Sequence, residues 1–233
     1  MGLMDHMDTV RMLSTLGLMG AMRTLSSAYE AASGARIDAD YAPTQALLKR
    51  LRDGEPADLV ILTREGLDAV IAEGRVAADS AADLARSYVG IAVRAGTAHP
   101  DIATEGALRT TLLGARSVAY SRLGASGIYF AELIVRMGIA AEINAKATIV
   151  EQGFTAERLV SGEADLAVQQ ISELKQVEGI EVVGPVPHGL QTPALFSAGR
   201  MTSAKNSAGA DRLLRHLASP EVAPVLRQSG LEP

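Results

Sequence analysis

An arginine, a serine and two glycines stand together in Tyr120-Ser121-Arg122-Leu123-Gly124-Ala125-Ser126-Gly127-Ile128-Tyr129-Phe130, and residues of these types can hold a small anion. The apolar run Val118, Ala119, Tyr120 reads as a strand, and Ile128, Tyr129, Phe130, Leu133, Ile134 and Met137 then recur at helical spacing. Ser126 is expected to cap that helix, and Gly124 and Gly127 to let the backbone approach another group closely. A helix start presents N–H groups without intrahelical acceptors at the positive end of its dipole, which favours an anion. Arg122 adds a permanently charged planar fork suited to a carboxylate or another oxyanion. Alone, the stretch is also what any strand-to-helix turn of an α/β protein looks like; similar turns elsewhere in the chain are what point to a ligand.

Those turns require a series of βα units. The first half reads as a strand over 9–13, the exit loop Ser14-Thr15-Leu16-Gly17, a helix over 18–32 and a strand over 36–41. A helix over 45–52 follows with Thr44 as its cap, then a continuous apolar strand over 58–62 and a helix over 67–73. Ser14, Thr15, Thr44 and the pair Thr63, Arg64 thus fall beyond the carboxyl ends of strands, where open α/β sheets bind ligands. A strand over 87–94 crosses to a second half with a helix over 107–113, strands over 117–120 and 147–150, and the loop Glu151-Gln152-Gly153-Phe154. Then come a helix over 155–160 and a strand over 165–168 that leaves Gln169 and Gln170 at its end. After a strand over 180–183, Gly184-Pro185-Val186-Pro187-His188-Gly189 is the clearest linker, and a last strand over 195–197 precedes helices over 208–217 and 220–228. The expected architecture is α/β with two lobes, each a mostly parallel sheet flanked by helices, and a ligand cleft between them. Lobe 1 takes residues 1–90 and 190–233 and lobe 2 residues 91–189, with hinge closure around a ligand as the usual behaviour of such a pair.

Composition narrows the function. Hydrophobic residues make up 48% of the 233 and aromatics only 3%, with no Trp, so the core must be built from Ala, Leu, Val and Ile. The net charge of -5 comes from interspersed acids and bases without a basic stripe, which argues against nucleic acid as a partner. No window reaches the ~18 apolar residues of a membrane span, so no membrane insertion is expected. The absence of cysteine removes disulfide and thiolate chemistry. There is no carboxylate or histidine cluster at metal-ligand spacing, no Ser/His/Asp arrangement and no nucleotide-binding glycine loop, so no cofactor or metal is expected. Residues 1–7 contain Asp5 and His6 and lack the basic and apolar regions of a secretory leader. As written the chain is expected in the cytoplasm, and in the periplasm if a leader ahead of Asp8 has been removed.

In order along the chain, Arg11-Met12-Leu13-Ser14-Thr15, Gly54-Glu55-Pro56-Ala57-Asp58-Leu59, Gly127-Ile128-Tyr129, Gly162-Glu163-Ala164-Asp165-Leu166-Ala167 and Leu217-Ala218-Ser219-Pro220-Glu221 resemble the molybdate-binding-protein family of type 2 periplasmic solute-binding proteins. The resemblance covers almost the whole length. It implies a tetrahedral oxyanion held by hydroxyls and backbone amides of four loops, here 14–17, 43–45, 124–126 and 152–154. The family's ligand-holding tyrosine falls at Gln170, and Arg122 has no counterpart in a tight molybdate pocket. The stretches Asp83-Leu84-Ala85-Arg86-Ser87, Ala92-Val93-Arg94-Ala95-Gly96, Ala125-Ser126-Gly127, Gln169-Gln170-Ile171-Ser172-Glu173-Leu174 and Ser229-Gly230-Leu231-Glu232-Pro233 place the chain in a branch that resembles aconitate isomerase. That branch implies a polycarboxylate ligand and a cofactor-free proton shift between cis- and trans-aconitate.

The expected ligand set is Ser14, Thr15, Thr44, Arg122, Gly124, Ser126, Gly153 and Gln170, around a di- or tricarboxylate. If the chain is exported, an ABC transporter permease is the expected partner. Three functions stay open: carboxylate binding, aconitate isomerisation, and molybdate or tungstate binding. Isomerisation needs a general base. Glu151, Tyr129, Glu132 and His188 are the titratable groups available, and the sequence singles out none.

Overall fold

A computed structural model describes residues 9–233; residues 1–8, on which the expectation about a leader rests, lie outside the described residues. In chain order the elements are β1 (Thr9–Ser14), α1 (Met19–Ser33), β2 (Arg36–Tyr41), α2 (Thr44–Arg52), β3 (Leu59–Thr63), α3 (Arg64–Ala72), β4 (Ala82–Ser87) and β5 (Val89–Arg94). They continue with α4 (Glu105–Gly114), β6 (Val118–Ser121), α5 (Ala125–Arg136), α6 (Ala140–Ala145), β7 (Ala147–Val150), α7 (Glu157–Val160), β8 (Leu166–Gln170), α8 (Ile171–Leu174) and β9 (Ile180–Pro185). The last three are β10 (Ala194–Arg200), α9 (Ser207–Leu217) and α10 (Ala223–Gln228).

The chain folds as two units, one running up to Arg86 and resuming over Ala194–Pro233, the other formed by Ser87–Pro193. Each holds a five-stranded sheet, ordered β2-β1-β3-β10-β4 in the first and β7-β6-β8-β5-β9 in the second. In the first, β2 and β3 pair parallel with β1, and β10 joins antiparallel to β3. In the second, β7 and β8 pair parallel with β6, and β5 lies antiparallel between β8 and β9. Parallel strands put their carboxyl ends on one side, so Ser14, Tyr41 and Thr63 share one end of the first sheet, and Ser121, Val150 and Gln170 one end of the second.

Alternation along the central strands explains the continuous apolar runs. In β3, Leu59 and Ile61 join one core with Val10, Met12, Phe196 and α1, while Val60 and Leu62 join the other with Leu13, Leu47, Leu51 and Leu67. The second sheet has one large-residue face, with Ile91, Val118, Tyr120, Phe130 and Val168, and one face whose strand positions are Ala92, Ala119 and Ala167. Those alanines let the short α7 and α8 lie close to the strands, and this is where the alanine-rich composition goes.

Several sequence expectations need correction. The strand expected over 87–94 is β5, while β4, which ends at Ser87 and joins the first sheet, has no counterpart in the expected elements. Gly184 and Pro185 are not linker but the end of β9. The chain leaves the second unit just beyond, where Gln191 Oε1 accepts from Val89 N at 2.8 Å and Gln191 Nε2 donates to Val89 O at 3.1 Å and Val186 O at 2.6 Å.

Candidate anion site

In the first unit, Ser14 is the buried last residue of β1, and its Oγ donates to Thr15 O at 3.1 Å. Thr15 leaves the strand with its N–H given to Ile61 O at 2.9 Å. It then opens the 3-10 turn Leu16–Leu18 that leads into α1. The Thr15 side chain is only 4% exposed and its hydroxyl bonds no described residue. Thr44 is not the cap of α2. Pro43 takes that position, and Thr44, the first helical residue, accepts at Oγ1 from Thr63 N at 3.4 Å. Thr63 is both the end of β3 and the cap of α3, accepting from Gly66 N at 3.3 Å. The helix therefore begins at Arg64 with no exit loop, three residues before the apolar spacing makes it visible. Arg64 spends its charge on Asp68 and Asp83, each at 3.0 Å, which removes it from the candidate donors.

In the second unit, β6 ends at Ser121, whose Oγ accepts from Leu123 N at 3.2 Å and Gly124 N at 3.3 Å. This bond pair folds the loop back, so that Gly124, not Ser126, caps α5. Gly124 O accepts from the N–H groups of Gly127 and Ile128 at 3.1 and 3.0 Å, which leaves those of Ala125 and Ser126 without intrahelical acceptors. Ser126, one residue into the first turn, is 2% exposed, and its hydroxyl bonds no described residue. Its Oγ would lie 4.0 Å from a Cβ at Gly124, and Ser121 Oγ 3.9 Å, so the missing side chain leaves both hydroxyls uncovered. Gly127 does approach another group closely, but that group is the chain itself: a Cβ there would overlap the backbone carbonyl of Ser121. Arg122 is exposed and makes no ion pair or hydrogen bond with any described residue.

Behind this loop lies a buried polar layer. Gln169 and Gln170 do not follow β8 but are its last two residues, both buried. Gln169 Oε1 accepts from Thr155 N at 2.8 Å and Thr155 Oγ1 at 3.0 Å, and its Nε2 donates to Gly153 O at 3.2 Å. Gly153, with φ +84°, adopts a left-handed conformation that a side chain would strain. The surroundings of Gln170 orient its amide nitrogen towards Ser87 Oγ at 3.0 Å and the carbonyls of Ser87 and Tyr88 at 3.2 Å. Gln170 thereby ties β8 to the chain entering β5.

Glu173 is a buried acid that is absent from the expected ligand set. It lies in the one-turn helix α8, is 8% exposed, and burial pushes its carboxyl up to about 8 against the opposing effect of a bond from Gln169. Nothing in the sequence separates it from a surface acid, because a four-residue helix leaves no periodic signal. Of the four base candidates, Tyr129 donates to Leu190 O at 3.0 Å, and burial raises its hydroxyl to about 12. His188 stacks edge-on against Tyr88 at 4.8 Å and lines a cavity of about 600 Å³ with His99, Asp101 and Ile102. Glu132 and Glu151 are exposed. Among the described residues there is no group of three His, Cys, Asp or Glu placed to hold a metal ion, and no helix is long and apolar enough to cross a membrane.

Each unit thus carries neutral donors at the carboxyl ends of its parallel strands, and the second adds one uncommitted arginine. Such groups bind and orient an anion.

The sequence model of the bacterial extracellular solute-binding proteins matches residues 10–232. A protein of a Pseudomonas species named aconitate isomerase is 39% identical over 231 residues, covering 97% of this chain and 88% of that one. The periplasmic molybdate-binding protein of Azotobacter vinelandii superposes with a TM-score of 0.81 at 14% identity, covering 96% of this chain and 99% of that one. The substrate-binding domain of a molybdenum ABC transporter from Clostridium difficile does so with a TM-score of 0.71 at 17% identity, covering 96% and 98%. The two likenesses bear out the periplasmic-binding-protein fold expected from the sequence. With the family model spanning nearly the whole length, the chain belongs to the bacterial extracellular solute-binding protein family.

Proposed function

We propose that the chain binds a small polycarboxylate of the size of aconitate or citrate at the strand-end loop before α5, with Arg122 and the start of α5 as the principal anion donors. The observation that carries this reading is Ser126, a residue only 2% exposed whose hydroxyl is uncovered at Gly124 and bonds no described residue, beside two backbone N–H groups without intrahelical acceptors. An anionic oxygen at this helix start would accept from the hydroxyl and the amides together. Arg122 extends the reading from one oxyanion to a ligand with several carboxylates, and the name of the Pseudomonas relative agrees with that class. In a binding role the partner is an ABC transporter permease, which requires export of the chain.

A second reading, favoured by the same relative, is that the site also converts one aconitate isomer into the other. The reaction moves one proton: a base takes it from the methylene carbon, the double bond shifts by one position, and a proton returns to the former vinyl carbon. The amides and Arg122 would stabilise the charge that develops on the carboxylates.

Both readings meet in one experiment, a thermal-shift panel of molybdate, tungstate, sulfate, citrate, tricarballylate and the two aconitates, with NMR of the aconitate samples after incubation. A ligand that binds the native state raises the melting temperature. Stabilisation by tricarboxylates is expected, and stabilisation by molybdate alone would overturn the carboxylate reading. Interconverted aconitates would make the protein an isomerase. The variant Arg122→Ala is expected to lose at least ~1.5 to 3 kcal/mol of binding, the range for a hydrogen bond to a charged group. Unchanged affinity in calorimetry would remove Arg122 from the site.

A further inference from the structure

We propose that the cavity between the segment 99–103 and the end of β9 is a second binding site, one that takes a small protonated amine carried on an apolar body. It lies wholly within the second unit, shares no residue with the loop before α5, and selects the opposite charge.

The cavity, of about 600 Å³, has the size of small-molecule pockets, which run from ~300 to ~1,000 Å³. Its walls are fixed by bonds of their own. Asp101 O accepts from Thr111 Oγ1 at 2.7 Å, which ties the first wall to α4, and His99 Nε2 pairs with Glu181 Oε2 at 2.8 Å, which ties it to β9. The second wall continues from β9 into the turn His188–Leu190. There Val186 N donates to Val89 O at 2.9 Å, and Leu190 O accepts from the Tyr129 hydroxyl at 3.0 Å and Arg136 Nη2 at 3.2 Å. The run Gly184 to Gly189, which reads as a linker in the sequence, is thus a wall anchored on β5 and α5. A pocket with walls held in this way loses little conformational entropy when it is filled.

Buried Ile102 and half-buried Pro100, Val183, Pro185 and Pro187 line the cavity with carbon. Gly184 adds room, since a Cβ there would stand 3.9 Å from Ile102 Cδ1. The charge is of one sign. Asp101 accepts from Ala103 N at Oδ1, 2.9 Å away, while its Oδ2 bonds no described residue and its carboxylate has no ion-pair partner among them. Behind His99, the N–H of Gly96 and the His99 ring hold the Glu181 carboxyl below its ordinary value, so it keeps its charge at neutral pH. Among the described residues no lysine or arginine lines the cavity. Its field is therefore negative, which repels a carboxylate and draws a cation. An ammonium group has three hydrogens to place. Asp101 Oδ2 takes one, and the ring of His188, whose nitrogens bond no described residue, accepts another in its neutral form.

The test titrates the full chain with three probes of like shape, benzylammonium, benzyl alcohol and benzoate, and follows the backbone amides by NMR. Benzylammonium is expected to shift Ile102, Ala103, Gly184 and Gly189 saturably. It should bind about three- to fivefold more tightly than benzyl alcohol, the worth of one partly exposed charge pair. Benzoate should leave these four amides in place. The variant Asp101→Asn keeps an oxygen for Ala103 N and loses the charge, so in it benzylammonium should bind no better than benzyl alcohol. Benzoate binding here as well as benzylammonium, no saturable shift at the four amides, or an unchanged preference in Asp101→Asn overturns the site. The three-probe comparison in the wild type decides even if the variant does not fold. Benzoate shifts confined to Ala125 and Ser126 belong to the anion loop and agree with the assignment. The result stands whether or not that loop binds a polycarboxylate.

Discussion

Gly127→Ala is expected to destabilise the second unit by about 3 kcal/mol or more and to abolish measurable anion binding with it. Overpacking is tolerated where a flexible side chain can give way, and here the obstacle is the backbone carbonyl of Ser121 at the end of a central strand. The first turn of α5 would have to lift from β6 to make room. That movement breaks the fold-back in which Ser121 Oγ holds Leu123 N and Gly124 N, and carries away the amides of Ala125 and Ser126. The conformation of Gly127 is not the reason for a glycine here, since it lies inside a regular helix. Hydrogen exchange at Tyr120 and Phe130, which stack at 5.1 Å in the core of that unit, reads the loss locally. A variant within about 0.5 kcal/mol of wild type, the usual range of a neutral surface change, would show that helix and strand do not meet as described.

Asp58→Ala is expected to cost the first unit about 2 to 4 kcal/mol, on the basis of two charge-assisted bonds in a buried setting. Its Oδ2 accepts from Arg11 N and its Oδ1 from Asn206 N, both at 2.9 Å, so one carboxylate joins β1 to the segment that starts α9. The backbone of Asp58 adds bonds to Arg11 O at 2.8 Å and from Met201 N at 2.9 Å. Alanine keeps the backbone bonds and strips two partly buried backbone donors of their buried acceptor. Asp165 occupies the matching place before β8, accepting from Arg116 N at 2.8 Å and pairing with the Arg116 side chain at 2.9 Å. That pair is well exposed, so Asp165→Ala should cost no more than about 1 kcal/mol. Chemical denaturation of the two variants gives the comparison. An Asp165 variant as damaging as the Asp58 variant would contradict the assignment of the larger role to the buried carboxylate.

The contrast between these two aspartates also shows what was legible in the chain. Gly54-Glu55-Pro56-Ala57-Asp58-Leu59 and Gly162-Glu163-Ala164-Asp165-Leu166 are visible as related pieces, and each does precede a central strand. Their unequal burial is a tertiary fact. Strands β2 and β7 fall at the residues expected; in β2 the apolar Ile37, Ala39 and Tyr41 alternate with Arg36, Asp38 and Asp40. The start of α3 does not, because Thr63 serves two elements at once. Likewise β4 and β5 are separated by Tyr88 alone, which no local pattern marks as a passage from one sheet to another. At the candidate site, hydroxyls and glycines were legible through their place after strands. The partnership of Gln169 with Thr155 and Gly153, and the burial of Glu173, depend on residues brought together across three elements.

The bonds between Gln191 and Val89 have a consequence for how such a protein can change over time. They tie Val89, two residues beyond the first residue of the second unit, to Gln191, two residues before its last, so this unit begins and ends at one place. A stretch with its two ends side by side can be exchanged for another of like build without rethreading the rest of the chain. If Arg122 and Ser126 hold the ligand as proposed, their selectivity is carried on a single heritable cassette, and recombination at its two borders would retarget the protein while its other half stayed as it was.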